Sequence, residues 1–223
     1  MTTTMQKLIS GVGCLAIASA MSSAGVVTLG TTFGFTDLET SYDVSTGEYL
    51  AISSPITSGD VTRHDLFAPL TAAFGVGEIG VGNDASVLFR MNITNTFGTG
   101  ADGVNGRILI RDLDGDTLSG TFDGTWSLIG GFGFFDGLID FAVFNSAGNG
   151  VFEGTGSGSE FNVPTDTLSG AISFLIQMPE WFDTTNGFDG RTSQGDGILL
   201  TPTPGSLSLL GLGGLVATRR RRS

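Results

Sequence analysis

Polar and apolar residues alternate with a period of two along much of this chain. From Leu118 to Leu128 the even positions read Leu118, Gly120, Phe122, Gly124, Trp126 and Leu128, against Ser119, Thr121, Asp123, Thr125 and Ser127 at the odd ones. One dry face and one wet face without exception is the signature of a strand with one side buried. Val87, Phe89, Met91 and Ile93 alternate with Arg90, Asn92 and Thr94, and Ile172, Phe174, Ile176 and Met178 repeat the pattern. Shorter segments at Val26 to Phe35, Tyr49 to Ile52, Arg107 to Arg111, Leu138 to Phe144, Val151 to Thr155, Phe161 to Val163 and Gly197 to Leu200 bring the expectation to about ten strands. Gly98 to Gly103 and Ser146 to Gly150 read as turns between them. The nearest helical candidate in the body, Asp65 to Phe74, is interrupted by Pro69.

The predicted fold is therefore all-β: an antiparallel β-sandwich of jelly-roll type or a closed β-barrel, with apolar helical segments only at the two termini. Glycines alternating with Phe122 and Trp126 on the dry face predict tight curvature or a large side chain lying over bare backbone. Two short echoes stand out. Asp116-Thr117-Leu118-Ser119-Gly120 recurs as Asp166-Thr167-Leu168-Ser169-Gly170, which reads as two similar entries into strands. Phe-Asp-Gly occurs at 122, 135 and 188 and reads as turn chemistry beside a core aromatic.

Composition adds limits. Glycine supplies 36 of 223 residues, about twice the usual share of roughly 7%. All 17 phenylalanines lie between Phe33 and Phe188, which excludes a wholly disordered body. All 22 acidic residues lie between Asp37 and Asp196, with only Arg63, Arg90, Arg107, Arg111 and Arg191 to offset them. Such a field repels nucleic acid and attracts cations, and it also keeps an exported domain soluble.

The two ends differ from the body. Lys7 precedes the apolar run Leu8 to Met21, followed by small-residue sites at Ala18-Ser19-Ala20 and Ser22-Ser23-Ala24, the pattern of a secretory signal peptide over residues 1–24. Cys14, the sole cysteine, has Gly11 where a lipoprotein signal has a branched apolar residue. The mature chain then holds no cysteine, which excludes disulfides and a thiol nucleophile. At the other end, Pro202-Thr203-Pro204-Gly205 opens a 13-residue, mainly apolar run, Ser206 to Thr218, closed by Arg219-Arg220-Arg221-Arg222. As a helix that run covers about 20 Å, short of a bilayer core of about 30 Å. Lys7 and the arginines would both stay on the cytoplasmic side, leaving the body between them as the exported part.

Pro202 to Leu207, the Leu209 to Leu215 core and the arginine cluster resemble the PEP-CTERM sorting signal, with Thr203 in place of the family's usual glutamate. The resemblance covers only the tail, residues 201–223. It implies Sec-type export, cleavage by an exosortase-type enzyme, membrane contact through the tail before processing, and residence of the body, residues 25–200, at the cell surface or in an exopolysaccharide matrix. It implies nothing about a catalytic activity of the body, because such signals sit on many unrelated domains.

Candidate chemistry in the body is sparse. Asp112, Asp114 and Asp116 set three carboxylates at alternate positions in a glycine-containing turn, the hard-oxygen spacing that suits calcium. Calcium is the one cofactor the residues suggest. Trp181, flanked by Glu180 and Asp183, offers a flat face and hydrogen-bond acceptors to a sugar, whereas Trp126 falls on the dry face and reads as core. His64 is the only histidine and has no nucleophile elbow to serve. No catalytic residue is assigned. The expectation is a non-enzymatic structural or binding domain, with two alternatives: a carbohydrate-binding module or polysaccharide-active enzyme, and a calcium-dependent adhesion protein.

Overall fold

The computed structural model describes residues 30–65, 68–80, 85–155, 160–177, 182 and 186–201. All of them fall within one compact unit, Leu29–Pro204. They form twelve strands and no helix: β1 Gly30–Asp43, β2 Glu48–Ile52, β3 Ser58–His64, β4 Pro69–Phe74, β5 Ser86–Phe97, β6 Gly100–Arg111, β7 Thr117–Ile129, β8 Phe132–Asn145, β9 Val151–Glu153, β10 Glu160–Asn162, β11 Leu168–Gln177 and β12 Phe188–Leu200.

Every pairing is antiparallel, and the order β12-β11-β8-β7-β6-β5-β2-β1 closes on itself because β1 also pairs with β12, from Gly30↔Leu200 to Tyr42↔Phe188. This is an eight-stranded closed barrel, so of the two predicted architectures the barrel is the one formed. Strands β2 and β3 run in succession along the same side of β1, β2 against Glu39–Asp43 and β3 against Gly30–Thr36. The β3–β4 hairpin thus leaves the barrel wall as an extension. Its outer edge at β4 lies against the short β9–β10 ribbon, where Gly154 closes on the Ala73 backbone and the Gly75 N–H bonds Thr155 Oγ1 at 3.1 Å. A covered edge cannot template pairing with another chain.

The alternation seen in the sequence sorts the two faces as expected. Trp126, Tyr49, Phe35, Phe89, Phe122, Phe135 and Met91 are fully buried inside the barrel. Trp126 is the hub: its ring meets Tyr49 at 5.1 Å, Phe182 at 5.1 Å and Phe135 at 5.3 Å between centroids, and its Nε1–H points at Met91 Sδ, 3.3 Å away. A second aromatic group, Phe144, Phe152 and Phe161, holds the β9–β10 ribbon, with centroids 5.4 to 5.7 Å apart. The outer face mixes carboxylates with exposed apolar side chains such as Phe132, Leu138, Phe141 and Ile198. No helix among the described residues is long and apolar enough to cross a membrane.

Three local readings of the sequence are corrected. Gly100 to Gly103 belong to β6 rather than to a turn, because Gly100 lies under the Phe97 ring and Gly103 under Met91 and Phe135. Residues 69–74 form strand β4, with Pro69 as its first residue on a sheet edge, where a missing N–H breaks no ladder. Phe122-Asp123-Gly124 and Phe135-Asp136-Gly137 lie mid-strand in β7 and β8, not in turns.

Candidate functional site

The two mid-strand Phe-Asp-Gly triplets face each other, with Gly124 opposite Gly137, Asp123 opposite Leu138 and Thr125 opposite Asp136. Strand alternation gives each residue of the triplet a separate task. The phenylalanine enters the core, the aspartate faces out, and the glycine turns a bare Cα inward. Registers carry this pattern across the wall. Gly103, Gly124, Gly137, Ile172, Gly197 and Phe33 form one inward-facing row over six strands, four of its positions lacking a side chain. Rings from neighbouring positions occupy the space a Cβ would need: Phe135 at Gly103, Gly124 and Gly137, and Phe33 at Gly197.

On the outer side of this row runs an open groove of about 1000 Å³, crossing β3, β1, β12, β11, β8 and β7. Its walls differ. One is the register row Asp60–Gly34–Asp196–Ser173–Asp136–Thr125, which continues to Asp102 on β6, with a carboxylate on every second strand. The other carries Leu138, Ala171 and Ile198, with Leu138 67% and Ile198 46% exposed, and Asp123 at its end. Four carboxylates and no basic side chain line the groove.

The acids are held in different ways. Asp60 Oδ1 accepts from Thr62 Oγ1 at 2.9 Å, Asp196 Oδ2 from Gln194 Nε2 at 3.0 Å, and Asp123 Oδ1 from the Asn105 N–H at 2.6 Å. Gly34 leaves room for Asp196 to lie across it, since a Cβ there would stand 2.7 Å from Asp196 Oδ1. Asp136 accepts no hydrogen bond among the described residues. With strands about 4.8 Å apart, carboxylates on alternate strands stand about 10 Å apart along the groove.

The Asp112-Leu113-Asp114-Gly115-Asp116 turn lies between β6 and β7. Structure brings its three carboxylates together, with oxygens within 4.8 Å of one another, Asp112 and Asp116 buried and Asp114 exposed. The same oxygens clamp the segment that follows β8. Asp116 accepts the Gly148 and Gly150 N–H groups at 2.6 and 2.7 Å, and Asp114 Oδ2 that of Asn149 at 2.7 Å. Asp112 accepts those of Gly115 and Glu153 at 2.9 and 3.1 Å. Burial above all, with a smaller contribution from neighbouring Asp114, pushes the Asp112 carboxyl up to about 6 against the lowering effect of the two N–H bonds. In the second copy of the pentapeptide Asp166 is exposed, so identical letters serve different ends.

His64 ends β3, exposed, with Nε2 3.1 Å from Thr32 Oγ1. Trp126 is core, as its position in the alternation predicts. Trp181, Glu180 and Asp183 lie outside the described residues, as do Pro202, Thr203, Pro204, Gly205 and Arg219 to Arg222. Phe182, between them, is buried against Tyr42, Tyr49 and Trp126. The groove residues Asp60, Asp136, Asp196, Leu138 and Ile198 carry no site signal in the sequence, apart from the repeated Phe-Asp-Gly triplet that contains Asp136. No family model matches the chain, and no curated protein or solved structure matches it.

Proposed function

We propose that this is an exported, non-enzymatic β-barrel of the cell surface or exopolysaccharide matrix, delivered by Sec-type export and an exosortase-type cleavage, which binds a glycan chain across its strands. The terminal segments support the address. The row of carboxylates on alternate strands, set along a groove with an aliphatic opposite wall, is the observation that carries the binding role. Carboxylates accept sugar hydroxyls well, and the C–H faces of pyranose rings rest on Leu138, Ala171 and Ile198. The spacing of about 10 Å approaches the disaccharide repeat of an extended β-linked glycan.

The same geometry favours holding over cutting. Carboxylates two strands apart exceed the separation of about 5 to 9.5 Å that glycoside cleavage uses. Asp123 comes nearer, diagonal to Asp136 at about 7–8 Å between backbone positions, and it already accepts the Asn105 N–H. Calorimetric titration of the purified protein with neutral β-linked oligosaccharides tests the reading. The expected result is saturable heat that grows with chain length, weakened at least tenfold by Asp136→Asn with Asp196→Asn, and no release of reducing ends. Absence of binding would sink the groove reading; sugar release abolished by Asp136→Asn would sink the non-enzymatic one.

A second reading, calcium-dependent adhesion, is favoured by the convergence of Asp112, Asp114 and Asp116 within 4.8 Å. It predicts saturable heat on calcium addition that disappears in Asp114→Ala. No heat in the unmodified protein disposes of it.

A further inference from the structure

Arg90 on β5 and Arg107 on β6 stand directly opposite each other on the outer face of the barrel. Like charges in that position repel and destabilise the pair of strands. The arrangement is the more notable in a chain with 22 acidic residues and only ten basic ones. Glu48 on β2 offsets part of the repulsion, reaching Arg90 at 3.9 Å, a long and exposed contact of the kind worth little. Arg107 has no ion pair among the described residues. Arg63 and Arg191, by contrast, donate to the carbonyls of Asn162 and Gln177, and Arg191 also lies over the Phe188 ring.

Arg90 and Arg107 border a depression of about 350 Å³, distinct in its lining from the larger groove, which Thr46, Met91, Asn92, Asn105 and the Arg90 partner Glu48 complete. Asn105 is held there by an irregularity of β6, where the registers to both β5 and β7 shift, and its φ is 55°. Its N–H is tied to Asp123, and Asn105 is among the residues that line the depression. Two arginines with the side-chain amides of Asn92 and Asn105 in the same lining match a planar carboxylate, which accepts paired N–H bonds from arginine. The volume lies at the small end for ligand sites and suits one monosaccharide unit.

We propose that this depression is an oxyanion site that takes the carboxylate of a uronic acid, with Arg107 as its principal charge and Arg90, shared with Glu48, as the second. The inference does not rest on the groove reading, because the ligand class and the residues are different. An anion there removes the repulsion between the two arginines, so ligand binding and added stability are linked.

The test is titration of the purified full chain with glucuronate, glucose and inorganic sulfate, followed by calorimetry and by the shift in melting temperature. Glucuronate is expected to bind saturably and raise the melting temperature, glucose to do neither, and Arg107→Gln to weaken glucuronate at least tenfold. Arg111→Gln, an exposed arginine on the same strand, is expected to leave binding intact. Circular dichroism of Arg107→Gln is expected to match the unmodified protein, since the residue is exposed. Failure of glucuronate to bind, or binding unchanged in Arg107→Gln, would overturn the site. Sulfate binding as tightly as glucuronate would overturn the assignment to a sugar acid.

Discussion

Gly124 on β7 stands directly opposite Gly137 on β8, and the fully buried Phe135 ring fills the space both leave. A Cβ at Gly137 would sit 2.6 Å from Phe135 Cε1 and 3.0 Å from the Asp123 carbonyl oxygen. Neither neighbour is the free end of a flexible chain. Gly137→Ala is therefore expected to cost about 1–3 kcal/mol through overpacking, read as a melting temperature lower by about 2–4 °C per kcal/mol. Near-ultraviolet circular dichroism is expected to change with it, because Phe135 packs 5.3 Å from Trp126. An unchanged melting curve would show that the ring can move aside.

Asp116 and Asp166 occupy the same place in identical pentapeptides but differ in burial. Asp116→Ala strips a buried carboxylate partner from the N–H groups of exposed Gly148 and half-buried Gly150, and loss of these charge-assisted bonds is expected to cost about 1–3 kcal/mol in all. Faster hydrogen exchange is expected at residues 148 and 150 and in the β9–β10 ribbon that follows. Asp166→Ala, at an exposed position, is expected to stay within about 0.5 kcal/mol of the parent. Equal losses in the two variants would refute the clamp.

The Asp112 carboxyl sits above its ordinary value of 3.8, at about 6, because burial disfavours its charge. A folded value above the unfolded one means the folded state binds the proton more tightly. The stabilising contribution of this group is complete below 3.8 and is lost as pH rises through about 6. Denaturant titrations across that window are expected to show a smaller loss of stability with rising pH in Asp112→Asn than in the parent. Parallel pH profiles would show that Asp112 does not titrate there.

Tyr49 and Ser193 are buried, and their hydroxyl oxygens meet no hydrogen-bond partner among the described residues. Burial also pushes the Tyr49 phenol above its usual range, and Ser193 is the polar group beside it. Replacing both hydroxyls by apolar groups of the same shape is neutral or stabilising when neither was satisfied. The double variant Tyr49→Phe with Ser193→Ala is expected to match or exceed the parent by up to about 1 kcal/mol in chemical denaturation. A loss larger than that would reveal a hydrogen bond the two groups share.

Strand identity was legible wherever one face is dry and the other wet, as in β7, whose predicted span Leu118 to Leu128 lies inside the observed Thr117–Ile129. Strands β3 and β4 were not, because β3 is largely polar and half-buried and Pro69 reads as a breaker until it is known to begin an edge strand. The acid turn was visible as three spaced aspartates, but its use as a backbone clamp depends on residues 148–153, more than thirty positions away. The groove is a register property of six strands, and no local window contains it. Asp-Gly is ordinary turn chemistry, and only the pairing of Gly124 with Gly137 turns two such dipeptides into the wall and base of a cleft.

The hoop is fastened by its first and last staves, since β1 finds its second neighbour only in β12, some 150 residues later. Any process that delivers this polypeptide head-first, whether a ribosome or a pore, delivers an open curl with two raw edges until Leu200 has arrived. Closure across such a sequence distance is slow. Folding is therefore postponed until Leu200 has arrived, so the closed barrel certifies that both of its end strands have been delivered.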